Sequence, residues 1–183
     1  MIEIVIHGRG GQGAVTTGQL MAVAASYDDK ESQTFPMFGV ERCGAPVEAF
    51  VRLSDKRIDL RSQIYTPDIV IVLEPSLLSA VDVTKGLKKK GLVIINSNKK
   101  ASSFGIKNGF VVKTVDATSV ALEIFKKPIV NTAMLGAFSA VTELVSLPSL
   151  EKAVDDIFIG RKGKKIADLN KKAVREVYHK AKK

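Results

Sequence analysis

The sequence predicts an α/β fold of three layers, built on a mainly parallel but mixed sheet and followed by a basic C-terminal helix. Three observations predict it. Short apolar runs, "IEIVI", "DIVIVL", "GLVIIN" and "FVVKTV", recur between stretches of helical period, the pattern of strands joined by crossovers. The first run leads into a cluster of glycines and then a helical pattern. A further run, Val47 to Leu53, strictly alternates instead, which marks a half-exposed strand, and the hairpin expected from it to Leu60 would make the sheet mixed.

Taken in order, Ile2 to Ile6 is apolar except for Glu3, as expected of a strand covered on both faces. Gly8 to Gly13 is the turn. A helix is expected from about Ala14 to Ser26, where Ala14, Gly18, Ala22 and Ala25 recur at helical spacing and would let it lie close on the sheet. Ser32 to Gly44 has no clear period and reads as a short strand at most, then an ordered loop. In the alternating run, Val47, Ala49, Val51 and Leu53 share one side, and Glu48, Phe50 and Arg52 the other. After "SDKR", Ile58 to Leu60 is expected to return beside it as a hairpin.

Asp68 to Pro75 and Gly91 to Asn96 read as buried strands. A helical stretch is expected between them, ending at Lys88–Lys90 and Gly91. Phe110 to Val115 is a further strand, and Thr118 to Phe125 a short helix stopped before Pro128. Asn131 is expected to cap a helix starting near Thr132, since its side-chain oxygen can take a free backbone N–H. Met134, Phe138, Val141 and Val145 would form that helix's core stripe. A helix from about Ser149 to Ile159 would close at Gly160. The last, near Lys165 to Lys180, carries Ile166, Leu169, Ala173 and Val177 on one face.

The chain has 183 residues, 45% hydrophobic and 26% charged, ordinary for a globular protein with its own core. No apolar run approaches the roughly 18 residues of a membrane helix. "MIEIVIHG" contains no basic leader and no cleavage site, so a cytoplasmic address is expected. Cys43 is the only cysteine, and His7 and His179 lie at opposite ends. An intrachain disulfide is excluded, and this donor set cannot build a metal or iron–sulfur site alone.

The formal charge of +9 is unevenly placed. Residues 161–183 carry ten Lys or Arg against Asp168 and Glu176, an excess of +8, leaving about +1 on residues 1–160. Residues 1–160 therefore read as the α/β domain. Residues 161–183 read as a basic amphipathic helix, part of the same domain or a docking appendage. Its charge fits a solvated helix face, or a surface for an acidic partner or nucleic acid.

Gly8-Arg9-Gly10-Gly11-Gln12-Gly13 has the spacing G-x-G-x-x-G between a strand and a helix, which makes the predicted domain Rossmann-like. Glycines there allow a tight turn and close approach of phosphates, and the helix start offers N–H groups and partial positive charge. Arg9 adds a fork of donors. A dinucleotide site wants an acidic residue at the end of the second strand, but Asp28, Asp29 and Glu31 precede it. A P-loop wants Lys and Ser or Thr next, where Ala14 and Val15 stand. The corner suits phosphate and lacks the machinery of either nucleotide class.

"HGRGGQGAVTTG", "QTFPMFGVERCGAPVEAFVRLSDKRI", "RSQIYTPDIVIVLEPSLL" and "NTAMLGAFSA" occur in this order along the chain. Together they resemble the gamma subunit of the 2-oxoacid:ferredoxin oxidoreductases, with the pyruvate enzyme (pyruvate synthase) nearest. The resemblance runs from about Ile2 to Gly160. It implies an enzyme that converts pyruvate, CoA and oxidised ferredoxin to acetyl-CoA, carbon dioxide and reduced ferredoxin, or runs in reverse. It implies alpha, beta and delta-type partner subunits carrying thiamine diphosphate and the 4Fe–4S clusters, with ferredoxin met through the complex. CoA would be a substrate at this chain, with nothing permanently bound. Gly8, Arg9, Gly10, Gly11, Gln12 and Gly13 would line the CoA phosphates. Arg42 falls where the family places basic residues, and Asn131 would add a polar contact. No residue of this chain would be catalytic and none a metal ligand. The family's usual "GVERRGAP" reads "GVERCGAP" here, Cys43 replacing a charge.

Two other functions fit the residues without the resemblance. One is a stand-alone Rossmann-like nucleotide-binding protein using the glycine corner. The other is a nucleic-acid binder working through residues 161–183, although Tyr178 is that segment's only aromatic, which disfavours base stacking. Under the resemblance neither nucleic acid nor membrane is a partner.

Overall fold

The computed structural model describes residues 1–37 and 44–183. Its centre is a six-stranded sheet in the order β2-β3-β1-β4-β5-β6. The strands are β1 (Ile2–Arg9), β2 (Glu31–Pro36), β3 (Pro46–Ser54), β4 (Ile69–Val72), β5 (Leu92–Asn96) and β6 (Val111–Val115). β1, β4, β5 and β6 run parallel, whereas β3 is antiparallel to both β1 and β2. The sheet is mainly parallel and mixed, as expected, but its antiparallel part comes from β3 lying between β1 and β2. The hairpin expected at Ile58 to Leu60 does not form. β1 and β2 already occupy both hydrogen-bonding edges of β3, so no edge is left for it.

Among the described residues five α-helices lie over one face: α1 (Ala14–Tyr27), α2 (Ala117–Phe125), α3 (Ala133–Thr142), α4 (Leu147–Lys162) and α5 (Lys164–Ala181). They bury Ile4, Ile6, Ala49, Val51, Leu53, Ile69, Ile71, Leu73 and Ile94. The alternate residues Val5, Phe50, Val70, Val72, Val93 and Ile95 form a second core with Ile64, Val83 and Leu87. The third layer is made of turns and loops. The stretch expected to be helical between β4 and β5 is a 3-10 turn, Pro75–Ser79, followed by irregular turns. Asp82 accepts from the Thr84 N–H and hydroxyl, a local alternative to helix. Gly86 has φ +77°, and a β-carbon there would stand 2.0 Å from the Tyr65 carbonyl oxygen.

Because both faces are covered, β3 is not half-exposed: Phe50 and Arg52 are buried as deeply as Val51 and Leu53. The Arg52 guanidinium donates to Glu3, to Gln33 and to the Ser62 and Gln63 carbonyls, and lies over the Phe35 ring. It fastens the loop after β3 to the sheet.

α1 does lie close on the sheet, since a β-carbon at Gly18 would come 2.6 Å from the Thr34 hydroxyl. α2 starts at Ala117, where the Asp116 carboxylate accepts from the Ser119 N–H. α4 runs past Gly160 and ends against Gly163. α5 buries Ala167, Asn170, Ala173, Val174 and Val177, while Ile166 is exposed and Leu169 half-exposed. Its inner face is therefore rotated from the expected stripe toward α3, where Gly136 leaves room for the α5 backbone. Lys171 pairs with Asp155, Arg175 with Glu151, and Lys180 with Asp116. Among the described residues no helix is long and apolar enough to cross a membrane.

Candidate functional site

β1 delivers the chain to the glycine turn at the carboxyl end of the parallel strands, where open α/β sheets hold their ligands. Gly11 and Gly13 have φ of +90° and +80°, conformations that L side chains rarely adopt. Gly13 holds the cap position of α1 and, having no side chain, makes no cap bond there. The first-turn N–H groups therefore have no acceptor within the helix. Thr17 bonds back to this corner, its hydroxyl donating to the Gly13 and Asn131 carbonyls at 3.1 and 3.2 Å.

The turn is braced on two sides. The Gln12 side-chain oxygen accepts from the Arg9 N–H at 2.8 Å, and its amide donates to Glu74 at 3.2 Å. The Arg9 guanidinium donates to the Gly44 carbonyl at 3.0 Å and the Ser76 hydroxyl at 2.9 Å. Gly10 exchanges backbone bonds with Ala45 and Gly44. Glu74 and Ser76 follow β4, so these bridges span the crevice between the ends of β1 and β4. That crevice is the usual dinucleotide position at a change of strand order. The open space lies on the other side of the turn. A cavity of about 470 Å³ is bounded there by Arg9, Gly10, Gly11, Gly13 and the start of α1, and by Pro36, Met37, Val47 and Glu48.

Asn131 does not cap α3. The cap position is Thr132, whose side chain makes no cap bond, and the helix begins at Ala133. Asn131 is buried and turned toward the head of α1, its amide within 2.6 Å of where a Gly13 β-carbon would stand. Gly8, Arg9, Gly10, Gly11, Gln12, Gly13 and Asn131 are thus brought to one corner. Arg42, with Glu41, Cys43 and Phe38, lies outside the described residues.

A second cavity of about 370 Å³ adjoins on the loop-covered face and shares Met37 and Glu48 with the first. His7 and Glu48 are cross-strand partners on β1 and β3, with Nδ1 3.4 Å from the carboxylate. Burial lowers the His7 pKa to about 4, so the ring is neutral at pH 7. Burial raises the Glu48 carboxyl, against a smaller opposing pull from Lys85. Among the described residues no group of three or more His, Cys, Asp or Glu could hold a metal ion.

The family model for pyruvate ferredoxin/flavodoxin oxidoreductase matches residues 3–180. The chain belongs to this family. It is a gamma-type subunit of an oxidoreductase. It is 53% identical to the pyruvate synthase subunit PorC of Methanocaldococcus jannaschii, over 98% of this chain and 99% of that one. It is 51% identical to the gamma subunit common to the pyruvate and ketoisovalerate oxidoreductases of Pyrococcus furiosus, over 98% and 97% of the two chains. The crystal structure of the Thermotoga maritima pyruvate oxidoreductase subunit PORC superposes with a TM-score of 0.84 at 37% identity, over 98% of this chain and 96% of that one. A 2-oxoglutarate:ferredoxin oxidoreductase chain from Magnetococcus marinus, solved with 2-oxoglutarate, coenzyme A and succinyl-CoA, shares the fold at 22% identity (TM-score 0.81). This chain covers 31% of that one, with 99% of itself aligned.

For this gamma-type chain, sequence reasoning found the glycine corner but missed Glu74, Ser76 and Glu48. Glu74 and Ser76 stand where "LEPS" ends a parallel strand, the edge at which α/β sites form, and that position was their one available signal. Glu48 carried none beyond its place in an alternating run.

Proposed function

We propose that this chain is the gamma subunit of a multi-subunit pyruvate:ferredoxin oxidoreductase and that it holds CoA while the partner subunits carry out the oxidation. The observation that carries the reading is a helix start with glycine at its cap position, behind a glycine turn and opening onto a cavity of about 470 Å³ with Arg9 at its edge. CoA is an extended thiol with a 3′-phospho-ADP head. Helix-start N–H groups attract such phosphates, and a guanidinium strengthens them through charge-assisted hydrogen bonds. Gly8 to Gly13, Arg9, Arg42 and Asn131 are the residues assigned to this contact.

Thiamine diphosphate and the iron–sulfur clusters belong to alpha, beta and delta-type partners, with ferredoxin reached through the complex. One cysteine does not fit a cluster's ligand set. Thiamine supplies the carbanion chemistry when bound on its own subunit. This chain's residues bind and orient the acyl acceptor. Residues 161–183 are read as part of the same domain, because Ala173, Val174 and Val177 share the core cluster of the sheet. The pairing of Lys171 and Arg175 with acidic residues of α4, and of Lys180 with Asp116 at the cap of α2, works against a nucleic-acid role for that helix.

The test is a steady-state titration of the assembled enzyme with CoA. Arg9→Ala is expected to raise the apparent KM for CoA several-fold with thiamine loading unchanged. An unchanged KM overturns the assignment.

A further inference from the structure

Positive charge has a second concentration in this chain besides residues 161–183. Residues 83–115 hold eight lysines and no Asp, Glu or Arg. Outside these two segments the chain carries an excess of seven acidic groups. Residues 83–115 build one end of the sheet, with β5, the edge strand β6 and the loops around them. Lys88, Lys89 and Lys90 precede β5, and Lys99 and Lys100 follow it. Lys107 lies in the loop to β6, and Lys113 on β6 itself. The length of β5 separates the two runs, about 17 Å at the rise of a strand. All eight lysines are exposed. Lys88 pairs with Asp68, and Lys85 and Lys107 pull on Asp82. Among the described residues Lys89, Lys90, Lys99, Lys100 and Lys113 form no ion pair. In α5, by contrast, Lys171, Arg175 and Lys180 are matched within the fold.

We propose that this lysine edge is a docking surface for an acidic soluble electron carrier, the ferredoxin that the complex reduces. The inference rests on the oxidoreductase reading and is independent of the CoA site. Like charges gathered at one edge repel one another, and a partner of opposite sign removes that repulsion. Lysine is a strongly hydrated point charge, which suits a wet, reversible contact. A permanent subunit interface excludes charge from its centre, whereas electron-transfer encounters are small and weak. A field of one sign raises the rate of such encounters by about 10- to 1000-fold. Electron transfer itself stays with the clusters of the partner subunits, and this edge concentrates the carrier beside them. A nucleic acid fits less well. Phe104 and Phe110, the segment's only aromatics, are packed against the second core and leave no free ring for a base to stack on. The segment also lacks the arginine fork that grips phosphate.

The experiment follows the assembled enzyme with two electron acceptors: ferredoxin, and methyl viologen, a small dication that lysines do not attract. A variant combining Lys89→Gln, Lys99→Gln, Lys100→Gln and Lys113→Gln removes exposed, unpaired charges, so folding does not depend on them. It is expected to lower kcat/KM for ferredoxin about tenfold at low ionic strength, the lower end of steering effects, and to flatten the decline with salt. The KM for CoA and turnover with methyl viologen are expected to stay unchanged. Arginine at the same positions should retain the ferredoxin rate. A control combining Arg161→Gln, Lys165→Gln, Lys172→Gln and Lys183→Gln removes equal charge from the other basic segment. Equal losses from both sets would mean that net charge alone acts, and overturn the site. Unchanged ferredoxin kinetics overturn it as well. So does loss of partner subunits from the variant complex, which would mark a permanent contact. A short RNA captured by the unaltered complex and not by the variant, with ferredoxin kinetics intact, would assign the edge to nucleic acid instead. If the unaltered complex reduces methyl viologen but not ferredoxin, the carrier reading fails and the proposal with it.

Discussion

The Asn131 side chain fills the space that a β-carbon at Gly13 would need: the amide nitrogen would stand 2.6 Å from it and Cγ 3.0 Å. Two segments 118 residues apart in the chain are thereby fitted to each other at the head of α1, with Thr17 bonded to the carbonyls of both.

Gly13→Ala therefore meets two separate penalties, the left-handed backbone, costing about 1–2 kcal/mol, and the contact with Asn131. Urea unfolding of the full chain is expected to show a loss larger than the backbone term alone. Adding Asn131→Ala should restore the steric part and leave the backbone part. A double variant no more stable than Gly13→Ala would show that the contact costs nothing.

Arg52 is a fully buried cation held by Glu3, Gln33 and two carbonyls. Removing one partner of a buried pair strands the other, at a cost of about 3–5 kcal/mol. Arg52→Ala is expected to lose stability on that scale. Arg52→Lys should recover only part of it, because a point charge cannot reproduce the guanidinium fork. Chemical denaturation measures both, and a loss from Arg52→Ala within about 0.5 kcal/mol, the size of an ordinary surface substitution, contradicts the role.

His7 ties stability to pH. Its folded pKa of about 4 lies below its unfolded value of 6.5, so between these limits the unfolded chain binds more protons. The contribution is present above about pH 6.5 and is lost as pH falls toward 4, with a full span on the order of 3 kcal/mol. Glu48 is shifted upward and acts in the opposite sense, so the observed slope should be shallower than one proton. His7→Gln removes the rising part. Denaturation curves collected from pH 4 to 7 check it, and parallel profiles for the two proteins would contradict the burial argument.

Local signals were enough for much of this architecture. β1, β4, β5 and β6 were legible because continuous apolar runs of strand length between turn residues have few other solutions. α1 was legible to within a residue, since a glycine turn ends one element and a small-residue period begins the next. The glycine corner was also legible, because its backbone demand is written in the residues themselves.

Long-range packing decided the rest. Alternation in Val47 to Leu53 marks two sides, but only the loops laid over the second side bury Phe50 and Arg52. Asn131 has the chemistry of a cap, yet its place is set by Gly13. The inner face of α5, Ala167, Asn170, Ala173, Val174 and Val177, has a helical period of its own, but its small and polar members outrank Ile166 and Leu169 only because Gly136 leaves room for the α5 backbone. The sequence by itself determined the strands, their glycine corner and the family. The tertiary structure decided which faces are covered and where the cavities open, because those depend on which distant segments approach, a relation that no local window of residues contains.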